Sequence, residues 1–194
     1  MNDLKSIALT KKIEWAGETT DVKVMWMLAF AVLTAVGARI EIPHQPVPYT
    51  LQTFFVLLAG ATLGSTGGFF SMCLYLLLGI AGLPVFSGAG FGIARILGPT
   101  GGYLLSFPIA AFAVGCLVPS SNKFIWQVAS MFLGLLIVFS LGTIQLNLVY
   151  IHDWKTALNA GFLIFSWWDA VKLFGAALIA YQYRKQFVKG STPS

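Results

Sequence analysis

Charge is scarce in this sequence. Only 10% of its 194 residues are Asp, Glu, Lys or Arg, and 57% are hydrophobic; an average soluble domain has roughly 25% charged residues. A charge at the centre of a bilayer is costly, so long uncharged apolar runs are what a hydrocarbon solvent requires. The scarcity excludes an ordinary soluble domain and predicts an all-α integral membrane protein. Between residues 24 and 183 the charged positions are Arg39, Glu41, Arg95, Lys123, Asp153, Lys155, Asp169 and Lys172.

Signatures of enzymes and metal sites are also missing. Cys73 and Cys116 lie far apart in apolar segments, without redox or metal spacing. His44 and His152 fall in predicted loops, so neither is placed for a helix-borne metal site or a nucleophile pair. The sequence has no Gly-x-Ser-x-Gly nucleophile motif and no phosphate-binding loop. We therefore expect no enzymatic activity, no ATPase site, no metal and no cofactor.

Six apolar segments are long enough to be predicted as membrane-spanning helices. A span needs about 20 apolar residues, with some tolerance for tilt and burial. Breaks rich in Gly, Pro, Ser or Asn separate the segments, most clearly at residues 64–68, 84–99 and 119–122. The predicted spans are residues 24–40, 51–63, 67–83, 101–118, 124–150 and 167–183.

The region before the last span has two interpretations. Residues 155–183 can form one long helix, or residues 154–165 can form a short surface helix that precedes a span beginning at Trp167. We prefer the second, because Ser166 and Asp169 have the spacing of a helix N-cap with an acid at its third position. Trp167 and Trp168 also suit the aromatic belt of a membrane interface.

The distribution of basic residues predicts the orientation. Six spans place both termini on one side, and that side carries eight basic residues against three on the other. The positive-inside rule then puts the termini in the cytoplasm. The +5 net charge is explained by this topology and does not indicate nucleic-acid binding. We divide the chain into a cytoplasmic segment (1–23, in which residues 4–15 are compatible with a short amphipathic surface helix), a membrane domain (24–183) and a basic cytoplasmic tail (184–194).

Polar residues on the predicted external half are the candidates for a site. Asp169 and Lys172 are three residues apart, on one face of the last helix; an intramembrane acid–base pair indicates function by default, although it can also be a self-neutralising structural pair. Arg95 is the one charge in a glycine-rich loop, where it can bind a carboxylate or simply be solvated. Arg39 and Glu41 are better explained as an interfacial pair.

A proline-stiffened segment leads into the second span: Pro46-Val47-Pro48-Tyr49-Thr50-Leu51-Gln52. Tyr49 and Gln52 would lie near the external mouth, where they can stack and form hydrogen bonds. From the sequence alone, it is equally good to explain the segment as prolines that only mark the start of a helix.

These motifs together resemble the BioY family, the biotin-specific S components of energy-coupling-factor (ECF) transporters. The resemblance rests on the segment from Pro46 to Gln52, on Gly60 with Leu63-Gly64, and on Gly82-Leu83-Pro84-Val85-Phe86. It also rests on Gly98-Pro99-Thr100-Gly101-Gly102-Tyr103-Leu104 and on Asp169-x-x-Lys172. It covers about residues 30–180. The alternatives are an S component for another small vitamin or metabolite, and a membrane protein or enzyme without such a ligand.

The resemblance implies a six-helix biotin-binding subunit in the bacterial cytoplasmic membrane. Its implied partners are a membrane coupling subunit and two cytoplasmic ATPases that hydrolyse ATP to drive uptake. Ala31 and Ala35 have the small-x-x-x-small spacing that permits close helix approach, and they resemble the motif that contacts the coupling subunit. Packing within the bundle is the alternative.

We expect the following roles in biotin binding. Asp169 accepts from the ureido N–H groups and Lys172 donates to the ureido oxygen. Arg95 binds the carboxylate, although the roles of the two cations can be exchanged. Aromatic residues line the ring; the candidates are Tyr49, Tyr103 and Trp168.

Overall fold

The protein is a bundle of long apolar helices. The structure, a computed structural model, describes residues 19–118, 123–163 and 167–190, with side chains up to residue 185. The predicted N-terminal surface helix and the Ser166 cap lie outside these residues. In chain order the helices and strands are α1 (Thr20–Arg39), β1 (Glu41–Ile42), β2 (Tyr49–Thr50), α2 (Gln52–Ile80), α3 (Ile93–Leu97), α4 (Gly101–Leu117), α5 (Phe124–Leu146), α6 (Trp154–Ala157) and α7 (Trp167–Gly190).

Helix α2 is a hairpin of two antiparallel halves. Gly64 interrupts it with φ 74° and ψ −177°, a conformation that only glycine adopts readily. Gln52 Nε2 donates a hydrogen bond to Tyr75 Oη, whereas a straight helix would hold these two residues about 34 Å apart. A Cβ on Gly68 would lie 2.9 Å from Gly60 Cα, so the two halves are in close contact. The second and third predicted segments are therefore two antiparallel helices joined at Gly64.

The other helices follow the predicted segments closely. Helix α1 carries Asp21 in its first turn and Arg39 in its last, the charges that complement a helix dipole. It begins at Thr20, inside the segment expected to precede the membrane domain. Helix α5 continues into a π-helical turn, Asn147–Ile151, as the predicted span 124–150 requires. By length and composition alone, three helices of the described chain, α1, α2 and α5 with its π turn, could cross a membrane, or four if the bent pair at the end of the chain is one span. Because α2 folds back at Gly64, its full length is not one crossing. The count of six stays a prediction.

The last region is divided into two helical parts, as the preferred interpretation expects, and the surface position of the first part stays a prediction. Helix α6 and a π-helical turn, Leu158–Phe162, precede α7, and the two parts are bent by 49°. Asp153 caps α6 by accepting a hydrogen bond of 2.9 Å from the Thr156 backbone N–H. Hydrogen bonds from the Thr156 side chain and backbone hold the pKa of the Asp153 carboxyl below its usual value. Helix α7 runs to Gly190, so much of the predicted basic tail continues the helix.

The segments between the helix ends are more ordered than the sequence indicates. Strands β1 and β2 form an antiparallel hairpin in which Glu41 pairs with Thr50 and Ile42 with Tyr49. Residues 81–100 contain a 3-10 turn, Ser87–Ala89, as well as α3. Phe86 is fully buried and occupies a notch at Gly79, where a Cβ would collide with its ring. Arg39 donates to Pro84 O, and Glu41 accepts from Gly88 N at 3.1 Å. The outer end of α1 and β1 therefore hold this loop against the bundle.

Candidate ligand-binding site

A cavity of about 50 Å³ lies near the helix ends that adjoin the β hairpin and the loop 81–100. Helices α2, α4, α5 and α7 and the segment from Val47 to Thr50 all contribute to its wall. Apolar and aromatic side chains make up about half of that wall, and polar groups make up the rest, so the wall is more polar than that of most small-molecule sites. The lining residues are Val47, Pro48, Tyr49, Thr50, Gln52, Thr53, Ser87, Thr100, Tyr103, Leu104, Phe107, Val138, Phe139, Asp169 and Lys172.

Asp169 and Lys172 form a buried ion pair in the wall. Lys172 Nζ lies 2.6 Å from Asp169 Oδ1, and the two side chains are only 3% and 2% exposed. Lys172 also donates to Thr50 O at 2.9 Å and to Thr53 Oγ1 at 2.8 Å. A buried ion pair is tolerated where further hydrogen bonds replace the lost hydration. Lys172 therefore connects α7 to the start of α2. The charges of Lys172 and Asp169 both lie in the cavity wall.

Gln52 lines the cavity, but its amide is also part of a chain of hydrogen bonds inside the protein. Its Oε1 accepts from Thr50 Oγ1 at 2.8 Å, and its Nε2 donates to Tyr75 Oη. The Tyr75 hydroxyl in turn donates to Val85 O at 3.1 Å. These bonds connect the start of α2, its second half and the loop above the cavity. The amide therefore supports the shape of the site even where it does not contact a ligand.

The two predicted tyrosines differ in how they are held. Tyr103 is buried, and its hydroxyl donates to Gly161 O at 2.9 Å. Its ring packs edge-on against Phe139, with 6.4 Å between the ring centroids. Tyr49 is half-buried, and its ring lies 5.1 Å from the ring of His44. Both rings form part of the cavity wall, as the sequence predicts for aromatic residues around a ligand ring.

Arg95 lies on α3, beside the cavity and outside its lining. Its guanidinium packs against Gly88 and Gly90, next to Ser87, which does line the cavity. A Cβ on Gly88 would lie 3.3 Å from an Arg95 terminal nitrogen and 4.0 Å from Glu41 Oε1. The side chain is partly exposed. Arg95 is thus placed in the loop above the cavity and does not line the cavity wall.

Trp168, Ala31 and Ala35 are not in the cavity wall. Trp168 is half-buried, and its Nε1 has no hydrogen-bond partner among the described residues. Ala31 is fully buried in the bundle core, and Ala35 is half-buried against the same core. Packing within the bundle accounts for Ala31 as the structure stands, because a residue with no exposed surface cannot contact another subunit in this conformation.

Several lining residues were not predicted. Thr53 directly follows Gln52 in the chain, so the position of the segment from Pro46 to Gln52 could also have indicated Thr53. Ser87 directly follows the motif that ends at Phe86, and Thr100 lies within the motif from Gly98 to Leu104, although neither was singled out as a site residue. Phe107, Val138 and Phe139 are ordinary apolar positions in long apolar helices, and no local pattern distinguishes them from core residues. Among residues 19–118, 123–163 and 167–190, no cluster of three His, Cys, Asp or Glu side chains could hold a metal ion.

Fold and cavity together define the class: a helical membrane protein with a partly polar internal cavity whose wall contains a buried ion pair. A sequence model of the BioY family matches residues 10–189. The biotin transporter BioY of Thermotoga maritima is 46% identical over 156 residues, which cover 80% of this chain and 92% of that protein. The probable biotin transporter BioY of Pyrococcus horikoshii is 44% identical over 151 residues, or 78% of this chain and 89% of that protein. This chain belongs to the BioY family.

A solved structure shares the fold. It is the S-component for biotin from an ECF-type ABC transporter, solved by crystallography. The two structures superimpose with a TM-score of 0.78 at 26% sequence identity, covering 87% of this chain and 95% of that one. The all-α membrane architecture predicted from the sequence is confirmed by this match.

Proposed function

We propose that this chain is the biotin-binding membrane subunit of an ECF-type importer. The observation that carries the proposal is the buried Asp169–Lys172 pair in the wall of a partly apolar cavity. Biotin combines a neutral ureido ring, an apolar sulfur ring and a carboxylate tail. The ureido group needs an N–H acceptor and an oxygen donor side by side, and the sulfur ring needs apolar walls. The names of the BioY relatives support the same ligand.

Each end of biotin has a matching group in this proposal. Asp169 accepts hydrogen bonds from the ureido N–H groups. The ureido oxygen lies on the side of the ion pair where Lys172 is. Tyr49, Gln52 and Tyr103 surround the ring system, and Trp168 lies in the first turn of α7, next to Asp169 in the chain. Arg95 binds the carboxylate, because it lies above the cavity where the tail points toward solvent.

Entry of biotin requires the loop to move. A cavity of about 50 Å³ has room for about four water molecules, which is less than a ligand of biotin's size needs. The loop 81–100 covers the cavity and is held by contacts that can be broken singly, such as Tyr75 to Val85 O and Glu41 to Gly88 N, so we expect it to open and then close over the ligand. Arg95 would follow this movement, since it packs on Gly88 and Gly90 of the same loop.

Uptake against a gradient requires partners. We infer a membrane coupling subunit and two cytoplasmic ATPases, because the sequence of this chain has no phosphate-binding loop with which to bind ATP. The orientation that goes with this function places the external loops toward the substrate and both termini in the cytoplasm. Ala35 is the more accessible member of the alanine motif, so a contact of this motif with the coupling subunit would begin there.

The test is equilibrium binding of biotin to the detergent-purified protein, with riboflavin and thiamine as controls. We expect biotin to bind more tightly than about 1 μM, roughly 8 kcal/mol, and the controls to give no response. No response to biotin in a folded sample would contradict the proposal. A response to another vitamin instead would assign the same scaffold to a different ligand.

Asp169→Asn is the matching variant. It keeps the size of the side chain but removes the charge that pairs with Lys172 and accepts from the ureido group. We expect biotin affinity to fall by about tenfold or more, since hydrogen bonds to charged groups contribute about 1.5–3 kcal/mol. Unchanged affinity would exclude Asp169 from the binding role.

A further inference from the structure

The Lys172 ammonium group has no hydrogen to spare for a ligand. An ammonium carries three N–H donors and no acceptor. Three protein acceptors already surround Nζ: Asp169 Oδ1 at 2.6 Å, Thr53 Oγ1 at 2.8 Å and Thr50 O at 2.9 Å. The side chain is only 3% exposed. A ligand that took a hydrogen bond from Lys172 would have to displace one of these partners.

Thr53 has the donor that Lys172 lacks. A hydroxyl accepts through two lone pairs and donates one hydrogen. Thr53 Oγ1 accepts from Lys172, and within the described part of the chain its hydroxyl donates to no protein group. Thr53 also lines the cavity. Acceptance from a cation polarises the hydroxyl and strengthens it as a donor, because hydrogen bonds in series reinforce one another in a low-dielectric interior.

Asp169 and Thr53 are placed side by side. Both bind the same Lys172 nitrogen, so an acceptor and a donor adjoin each other at the cavity wall. A cyclic urea presents a complementary pair, since its carbonyl oxygen and a ring N–H lie next to each other on one edge. The arrangement matches that edge with one contact from each residue.

We propose that Thr53 is a specificity-determining residue that donates to the ureido oxygen of the ligand, and that Lys172 acts through it. This inference rests on the proposed function, because it assumes a ligand with a urea-type carbonyl. Lys172 becomes a positioning residue that fixes the Thr53 oxygen and orients its hydrogen toward the cavity. Asp169 keeps the direct contact with the ureido N–H.

The test measures the dissociation constants of biotin and of its thio analogue, in which sulfur replaces the ureido oxygen and accepts hydrogen bonds poorly. The proteins are the full chain and its variants Thr53→Val and Thr53→Ser. In the unaltered protein we expect biotin to bind at least tenfold more tightly than the thio analogue. Thr53→Val should weaken biotin by tenfold or more and remove most of the preference for oxygen. Thr53→Ser, which keeps the hydroxyl, should restore both.

The control is Thr62→Val, in the same half of α2. Thr62 Oγ1 donates to Leu58 O within the helix, and Thr62 is not in the cavity wall, so both affinities should be unchanged. If Thr53→Val does not fold, Thr53→Ala removes the same hydroxyl without placing a methyl group beside Lys172. Equal losses for both ligands, or no loss, would overturn the inference and leave Thr53 as a support for Lys172. Failure of the unaltered, folded protein to bind biotin would overturn the proposed function itself.

Discussion

At the scale of single residues, the site depends on how each polar atom is already used. Lys172 is saturated by protein acceptors, the Gln52 amide is engaged with Thr50 and Tyr75, and the Tyr103 hydroxyl donates to Gly161. Predictions from residue type alone treat such groups as available to a ligand. The structure shows that several of them are held by other protein groups, so the positions of these polar atoms in the wall are fixed before a ligand binds.

Arg95 provides a prediction about the carboxylate. Arg95→Ala should weaken biotin by roughly tenfold or more, because a charge-assisted hydrogen bond contributes about 1.5–3 kcal/mol. It should leave the affinity for biotinamide, whose tail is neutral, almost unchanged. Competition binding with both ligands measures the difference. Lys155→Ala, which removes an exposed cation of the α6 region, is the control for a long-range charge effect, and an equal loss for both ligands in Arg95→Ala would exclude the assigned contact.

Tyr75 provides a prediction about the loop. Tyr75→Phe removes a hydroxyl that accepts from Gln52 and donates to Val85 O. Leaving buried polar groups unpaired costs about 1–3 kcal/mol, so the variant should unfold more easily, and biotin should dissociate faster because the loop has lost an anchor. Thermal unfolding in detergent and a dissociation rate measure these effects. Tyr181→Phe is the control, since the Tyr181 hydroxyl forms no hydrogen bond within the described residues; a dissociation rate unaffected by Tyr75→Phe would contradict the anchor.

At the scale of elements, glycine contacts determine how closely the helices approach. Helix α2 reverses at Gly64, and its two halves pack against α4 through positions without side chains. A Cβ on Gly60 would overlap the Ala111 backbone, and a Cβ on Gly115 would overlap residues 64 and 65. The reversal brings Gln52 beside Tyr75 and places the start of α2 next to α7. The cavity therefore exists because this hairpin is compact.

Gly60→Ala should destabilise the bundle. The added methyl group would meet the Ala111 carbonyl, and overpacking of this kind costs typically about 1–3 kcal/mol. Gly175→Ala is the matched control, because the nearest atom to its Cβ is Phe54 Cε2 at 3.5 Å, an ordinary contact. Thermal unfolding of both variants in the same detergent provides the comparison. Equal stability of the two would show that the hairpin tolerates a wider spacing.

At the scale of the whole molecule, the arrangement of loops and charges predicts an orientation. The β hairpin, the loop 81–100 and the α6 region lie at the cavity end of the bundle. Of the described basic residues, Lys23, Lys123, Arg184 and Lys185 lie at the other ends of helices α1, α5 and α7. Six crossings would put both termini on that opposite, cytoplasmic side. The proposed import cycle requires this orientation, since the cavity must first open to the outside.

Cysteine labelling in cells tests the orientation. In a background with Cys73→Ser and Cys116→Ser, a membrane-impermeant maleimide should label Ala89→Cys and Lys155→Cys in intact cells. Lys123→Cys and Ser194→Cys should react only after permeabilisation. Labelling of position 194 in intact cells, with position 123 protected, would indicate an odd number of crossings.

Composition and local spacing are enough to predict the class of protein and the ion pair. A bilayer selects strongly for apolar composition, so the helical segments follow from scarce charge and from breaks at Gly and Pro. Asp169 and Lys172 were predictable as a pair because their spacing of three is a local property of one helix. The same holds for the bend before α7, where short-range capping and aromatic signals coincide.

How these parts meet in space depends on contacts between residues that are far apart in the chain. Thr50 and Thr53 are distant from Lys172 along the chain, and no local pattern indicates that they complete its hydrogen bonds. The placement of Arg95 outside the cavity wall and the complete burial of Ala31 likewise depend on how the loop and α1 pack against the bundle. Long-range contacts result from many small packing interactions acting together. A local sequence pattern indicates which secondary structure a segment forms, but it does not indicate which other segments the residues contact.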